Sequence, residues 1–426
     1  MSTPEGLYRE LARILSDRQN NVLEIEILPP EFGPLLHDGH AIGVTKKALV
    51  QAFLVARQIF FDSLAGKSGQ NSDAPSTVSP PAVDQTAQTG KPSNNVAANE
   101  IEEKVSLATE IMLLFDCEHL TACNWRKRRI ATLMQHMQTS DTTDDSSFSA
   151  STVVPGTMHR REEKLAQLLE TERSLMTTYL CSPLHRHTKS PTLWQHRLWV
   201  MSQLIKIQQQ QTDKQRLSLK SRLDLASTCT YMRRTLETEL NVALRAGELH
   251  PKNYYAFSYM RQLHSVLSRA MEGDISQNRA GEGESVNHSS ELAGYLVDPV
   301  LTWCLAHPRD ISGWIFLLYL LEASAVKQVQ KNVVRKVVQF ALNVGWESES
   351  LWTFVDLATR KFDVEIMQLD SWRETSDTVD RSRGGRVVNG VALSEKRWKT
   401  WVAWAKAIRA TDALEDSVAF LSAERE

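Results

Sequence analysis

Apolar residues recur along this chain at the period of an α-helix almost throughout, and short polar turns separate one helix from the next. Three segments carry the same apolar stripe at relative offsets 0, 4, 7 and 8: Leu107, Ile111, Leu114 and Phe115; Leu236, Leu240, Ala243 and Leu244; Leu296, Val300, Trp303 and Cys304. Those offsets fall on one side of a helix. A further amphipathic helix is predicted over Leu165–Leu180, with Leu165, Leu168, Leu169, Leu175, Met176 and Tyr179 on its apolar side. Period-two alternation is confined to a short ambiguous stretch at Val22–Leu28.

Each of these helices is followed, after a polar turn, by a second helix that opens on a similar sentence of residues. The four sentences are Glu118–Lys127, Lys189–Arg197, His250–Tyr259 and His307–Phe316. Superposing them aligns Cys123, Trp194, Phe257 and Trp314 and, two places on, Trp125, His196, Tyr259 and Phe316. Proline ends the first helix, and Asn, Asp or Ser caps the second. An aromatic in the first turn and an arginine three residues later share a face, so the ring packs on the partner helix while the guanidinium reaches acidic or carbonyl groups there. One hairpin cannot bury its stripe alone, so stacked neighbours are the physical reason for repetition.

Several stretches are too polar to offset the entropy of ordering their backbone. Residues 66–99 read as a disordered insertion, and 139–156, 208–216, 273–290 and 373–385 as surface loops. The organisation expected is therefore an N-terminal helical segment over 1–65, repeats over 100–345, and C-terminal helices over 346–426 containing Trp352, Trp398, Trp401 and Trp404.

With 426 residues, 42% of them apolar, the chain can bury a sizeable core. Its 49 basic and 51 acidic residues leave no net field to draw nucleic acid or anionic lipid. Five scattered cysteines without a C-x-x-C pair argue against a disulfide framework. The longest continuous apolar run, Trp314–Leu321, is far short of the roughly 20 residues of a membrane span, and no basic-then-apolar leader opens the chain. The expectation is a cytoplasmic protein that is not itself a prenylation substrate, since no cysteine stands four from the end.

The recurring sentences resemble the protein prenyltransferase alpha-subunit repeat, whose second helix begins with a P-x-N-Y-x-A-W-x-x-R-like run. The likeness covers roughly Ile101–Leu321 with gaps. It departs from the family at Met260 and Leu317, which stand where Arg126 and Arg197 stand in the first two repeats, and at Cys123 in place of Trp. The resemblance implies an all-α superhelical array of antiparallel helix pairs wrapped around a separate beta subunit. That subunit would bind isoprenoid diphosphate and hold the zinc ion that turns a substrate cysteine into a thiolate nucleophile. This chain itself would hold no cofactor. Pro251-Lys252-Asn253-Tyr254 matches the family's P-K-N-Y sentence, so the resemblance implies that Lys252, with Tyr254 beside it, faces the diphosphate and steadies its accumulating charge. Asn253, Tyr255, Arg126, Lys127 and Arg197 are expected to bind alongside or hold hairpins and partner, and Trp125, Trp194, Phe257 and Trp314 to form the repeat core.

Other chemistry is weakly represented. Cys181, His185 and His187 lack the spacing of a metal site, and no metal is expected in this chain. The run Arg126–Arg129 points around a helix rather than down one face, as a solvated or salt-bridged surface does. No phosphate loop or nucleophile elbow is present in the sequence. The reading is the alpha subunit of a heterodimeric farnesyl- or geranylgeranyltransferase acting on a cysteine-ending protein. Its rival is a helical-repeat scaffold, tetratricopeptide-like, without chemistry.

Overall fold

The computed structural model describes residues 3–68, 94–141, 156–218, 224–276, 288–364 and 397–423. Thirteen α-helices occupy most of these residues: α1 Pro4–Asp17, α2 Lys46–Ser68, α3 Asn94–Phe115, α4 Leu120–Asp141, α5 Gly156–Cys181, α6 Pro191–Ser218, α7 Asp224–Leu249, α8 Tyr254–Ser276, α9 His288–Ala306, α10 Ile311–Ser324, α11 Lys327–Asn343, α12 Glu349–Phe362 and α13 Arg397–Ala423. The chain is an all-α array of helix pairs with one small sheet near its start. Two compact units divide it, one of residues 1–220 with 245–250, the other of 221–244 with 251–426.

In the first unit the expected N-terminal helical segment is interrupted by a three-stranded sheet. Its strands β1 Glu24–Leu28, β2 Leu35–Asp38 and β3 Ala41–Thr45 lie in the order β1-β3-β2. β1 runs parallel to β3, with Ile25 opposite Ile42, and β2 antiparallel to it. Three prolines and two glycines between residues 29 and 39 forbid a continuous helix here, and Gly39, at φ 56°, turns β2 into β3. Ile25, Ile42 and Val44 are buried on one side of the sheet. The free edge of β1 is held by α5, where Thr178 Oγ1 accepts from the Leu23 N–H at 3.1 Å and Ser182 Oγ from the Ile25 N–H at 2.9 Å. α2 packs along α1 and α3 and buries Ala48, Leu49, Ala52, Ala56 and Phe60. Although no long uninterrupted apolar run exists, Lys46–Ala65 is long and apolar enough to cross a membrane by length and composition alone. The pairs α3/α4 and α5/α6 complete the unit, with α4 against both α5 and α6.

In the second unit α9 lies on α8 and α10, α10 on α12, and α11 on α12. α9 and α10 approach closely because residue 313 is glycine. A Cβ there would stand 2.5 Å from the Trp303 ring. α13 closes the array, packing on α11 and α12 with Trp401 and Trp404 buried against Trp352.

The repeat extends one pair beyond the expected boundary at 345. Trp194, Trp314 and Trp352 each donate the indole N–H to the backbone carbonyl six residues earlier: to Thr188 at 2.9 Å, Pro308 at 3.0 Å and Trp346 at 2.8 Å. α11 carries the same stripe as the earlier first helices, at Val334, Val338, Ala341 and Leu342. Residues 327–362 are thus a fifth pair rather than separate C-terminal helices. The turn before Trp352 lacks both the proline of the second, third and fourth sentences and the cap bond shared by all four, which hid it.

The insertions are shorter than expected. The glutamine run at 208–216, expected as a loop, continues α6, because Gln, Lys and Arg are good helix formers and no Gly or Pro interrupts them. α2 reaches Ser68 and α3 starts at Asn94, α4 reaches Asp141 and α5 starts at Gly156, and α8 reaches Ser276 and α9 starts at His288. The remainder of these three insertions, and residues 373–385, lie outside the described residues.

Replacing Gly313 by alanine should force the rigid Trp303 ring to move. We expect a loss of about 1–3 kcal/mol of stability, read as a lowered midpoint in thermal or urea unfolding.

Candidate functional site

The second helices of the first four pairs begin the same way. Four residues before the aligned ring sits a cap: His119, Ser190, Asn253 and Asp310. Their side chains accept backbone N–H groups of the first turn, from Ala122 at 3.3 Å, Leu193 at 3.1 Å, Ala256 at 3.2 Å and Ser312 at 2.9 Å. The ring that follows is enclosed, as Trp194, Phe257 and Trp314 are, and Cys123 fills the smaller equivalent space in the first pair. Trp125, expected in the core, is only half-buried and meets Phe60 edge-on at 6.4 Å.

Turns of successive pairs are tied to one another. The Ser190 hydroxyl donates to the Cys117 carbonyl at 3.0 Å, and the Ser350 hydroxyl to the Arg309 carbonyl at 3.0 Å. Between the third and fourth pairs the tie is the Lys252 N–H, donated to Asp310 Oδ2 at 2.7 Å. Asp310 therefore caps α10 with one carboxylate oxygen and anchors the preceding turn with the other. Lys252 adopts φ 61°, a left-handed conformation that a non-glycine residue keeps only when its surroundings impose it. The consequence is a turn that buries Asn253 and leaves Lys252 exposed beside Tyr254 and Tyr255, which are 53% and 48% exposed. An ammonium and two phenols are displayed together there on a rigid turn.

Arg126 and Arg197 lie elsewhere. Arg126 is enclosed, bonded to Glu172 at 2.6 Å, to Glu110 at 3.3 Å, and to the Ser106 carbonyl at 2.9 Å. Glu110 also pairs with Arg18 at 2.5 Å, and Glu172 accepts from His196 Nε2 at 3.0 Å. Two guanidinium and two carboxylate groups thus cancel inside the first unit. Burial opposes the charge on Arg126, but Glu172 and Glu110 overcome it and hold its pKa above the ordinary arginine value. Burial would likewise raise the Glu172 pKa, and Arg126 reverses this, keeping the carboxyl far below the usual range. For His196 burial outweighs the neighbouring carboxylate and lowers the pKa, so the ring stays neutral. Arg197 Nη1 donates to the Arg173 carbonyl at 3.1 Å and to Thr177 Oγ1 at 2.8 Å. These contacts hold helices together and leave neither guanidinium free for a partner. Lys127, half-buried, places its ammonium 5.9 Å from the centre of the Trp199 ring. Met260 and Leu317, in the arginine positions of later pairs, are wholly buried as well. Arginine loss there is a change of core packing and says nothing about access to a ligand.

Residues 236–267, the third pair with its Lys252 turn, match the family model described as protein prenyltransferase alpha subunit repeat. This stretch is similar to the prenyltransferase alpha subunit repeat. It is also 29% identical over 166 residues to the Danio rerio protein named "Protein prenyltransferase alpha subunit repeat-containing protein 1". That match covers 39% of this chain and 33% of the relative, so it spans about a third of the relative's length. The four turns share the cap position and, except at Cys123, the ring, and vary the residue three places beyond it.

The sequence missed Glu110, Glu172, Arg18 and Asp310 as partners. A search of neighbouring helices for carboxylates to meet Arg126 would have nominated the first two, whereas the Asp310 bond to a backbone N–H has no sequence signal. Among the described residues no cluster of three or more His, Cys, Asp or Glu side chains is arranged to hold a metal ion.

Arg126→Met should leave Glu172 buried without its cation and cost roughly 3–5 kcal/mol in urea unfolding. A pH effect follows from His187, whose Nε2 bonds the Leu113 carbonyl at 3.0 Å while Nδ1 is buried without a partner. Burial pushes its pKa from 6.5 down to about 4. The unfolded chain takes up a proton between pH 6.5 and 4 that the folded chain refuses, so stability is full above this window and falls as pH drops through it. The loss should approach roughly 3 kcal/mol by the lower end. His187→Gln should flatten that slope in pH-dependent unfolding.

Proposed function

We propose that this chain is the alpha subunit of a heterodimeric protein prenyltransferase, pairing with a zinc-bearing beta subunit. In that role Lys252 offers its ammonium to the isoprenoid diphosphate as the bond to the first isoprenoid carbon breaks and the substrate thiolate attacks. The observation that carries this reading is the Lys252 turn. It falls within the matched repeat, is fixed by Asp310 through its backbone, and keeps its side chain exposed. Tyr254 and Tyr255 add hydroxyl donors next to the cation. Zinc, donor length and protein substrate belong to the partner in this scheme, and the cytoplasm is its setting.

A helical scaffold without chemistry is the second reading. It is favoured by the mostly structural use of the repeat's polar groups, such as Arg126 and Arg197.

Co-expression with a zinc-bearing prenyltransferase beta subunit, followed by gel filtration and a prenyl-transfer assay, separates the two. The expected result is a stable complex that transfers isoprenoid to a C-terminal cysteine. Lys252→Ala should leave the complex intact and slow transfer about 100- to 1000-fold, the usual effect of removing one group that stabilises developing charge. A complex without transfer would support the scaffold, and no complex would remove the proposed partner.

A further inference from the structure

Beyond the Lys252 turn a polar stripe continues along α8. Tyr254, Ser258, Arg261, Ser265 and Arg269 follow one another at relative offsets 0, 4, 7, 11 and 15, which fall on one side of a helix, and all are exposed or half-buried. Together with Lys252 they spread cationic side chains over about 25 Å. No Asp or Glu occurs in α8 before residue 272. Carboxylates on neighbouring helices are engaged elsewhere: Glu239 of α7 accepts the Tyr259 hydroxyl at 2.5 Å, Asp310 caps α10, and Glu322 of α10 pairs with Lys361 at 2.6 Å.

Within the stripe Arg261 is the cation with the least compensation. It is half-buried, and its guanidinium has no hydrogen-bond or ion-pair partner among the described residues. Burial lowers its pKa from the ordinary arginine value, opposed only by the Tyr319 hydroxyl, so no carboxylate offsets the charge. Nor can that hydroxyl neutralise it. Tyr319 bonds His264 Nδ1 at 2.9 Å, and His264 Nε2 bonds the Ser289 carbonyl at 3.0 Å. Burial lowers the His264 pKa and keeps the ring neutral. A carbonyl only accepts, so the ring proton sits on Nε2 and Tyr319 donates its own to Nδ1. The phenol thus stays uncharged, a dipole beside a full charge. A half-desolvated guanidinium without a counter-charge is costly until a carboxylate reaches it.

We propose that the α8 stripe docks an acidic segment of a protein partner, with Arg261 receiving a carboxylate and Tyr254 and Tyr255 packing beside it. Charge complementarity selects this occupant, because the stripe holds cations with no anion between them. Their spread exceeds the span of one small anion and suits carboxylates carried along a peptide. Tyrosine and arginine are also the residues that protein interfaces concentrate, since each joins broad contact area to polar donors. Arg269 is less free, with Nε bonded to the Ser265 carbonyl at 3.2 Å, so it steers the partner rather than anchoring it. The inference holds whether the chain is catalytic or a scaffold, and a partner seated on the stripe would lie next to the Lys252 turn.

Fluorescence anisotropy of the full chain at constant ionic strength tests this with three labelled peptides: alternating Glu and Ser, alternating Gln and Ser, and alternating Lys and Ser. The Glu peptide should bind, the Gln peptide about tenfold more weakly or worse, and the Lys peptide not at all. Arg261→Gln should weaken the Glu peptide about tenfold. Arg269→Gln, on the open surface, should weaken it about threefold and keeps the test decisive if the Arg261 variant misfolds. Lys336→Gln removes an exposed charge from α11 and should leave the affinity unchanged. An equal loss in Lys336→Gln and Arg261→Gln would mean unspecific attraction and overturn the stripe as a docking site. Displacement of the peptide by an equimolar amount of inorganic diphosphate would overturn the protein segment in favour of a small anion. No binding of the Glu peptide, or binding indifferent to both α8 substitutions, would end the proposal.

Discussion

A helix with apolar residues on two sides has to meet neighbours on both, and a hairpin of two such helices covers only one side of each. The rest of this structure depends on that constraint. Pairs must be laid against pairs, and their turns must hold a constant spacing for successive stripes to meet. The capped start of the second helix in the first four pairs, with a large ring four residues later in three of them, enforces the spacing: the cap fixes where the helix begins, and the enclosed ring fixes how it is rotated. Where the ring is tryptophan, its indole N–H also closes the turn onto the carbonyl six residues before. Packing and hydrogen bonding are then satisfied by one side chain, so the position tolerates few substitutes, although phenylalanine and cysteine occupy it in two pairs with packing alone.

The polar interior follows from the same architecture. Once pairs are stacked, the residue three places beyond the ring faces inward, and an arginine there must find carboxylates or carbonyls. Arg126 finds Glu110 and Glu172 and Arg197 finds carbonyl and hydroxyl oxygens, while the third and fourth pairs avoid the problem with Met260 and Leu317. Both solutions are consistent with a buried site, since an ion pair inside a protein is often replaceable by well-packed apolar groups. What such a core leaves for function are groups at its margins. The exposed Lys252 turn is such a group.

Much of this was legible in the residues. The stripes at Leu236–Leu244 and Leu296–Cys304 are helices with those faces buried, and the reach of the arginine toward the preceding helix holds for Arg126 and Arg197. The sheet was visible only as alternation over Val22–Leu28, because the pairing of β1 with β3 joins strands more than ten residues apart. The glutamine run looked like a loop because it offers nothing to bury, yet a helix needs only compatible backbone preferences to continue, and α6 does. The fifth pair escaped notice because its turn lacks both proline and a side-chain cap.

By itself the amino-acid order determined the local content: helix or turn, cap residue, stripe, ring, and the family likeness carried by the Pro251–Tyr254 sentence. Those properties arise from neighbours within a few residues and need no distant partner. Only the tertiary structure decided which polar groups would be spent on one another. Asp310 reaches a backbone N–H 58 residues away and Arg18 a carboxylate 92 residues away, and such bonds form only after stacking has brought the helices together. Exposure of Lys252 and enclosure of Arg126 were decided at that same step, since a charge on a helix surface becomes interior or exterior according to what packs against it.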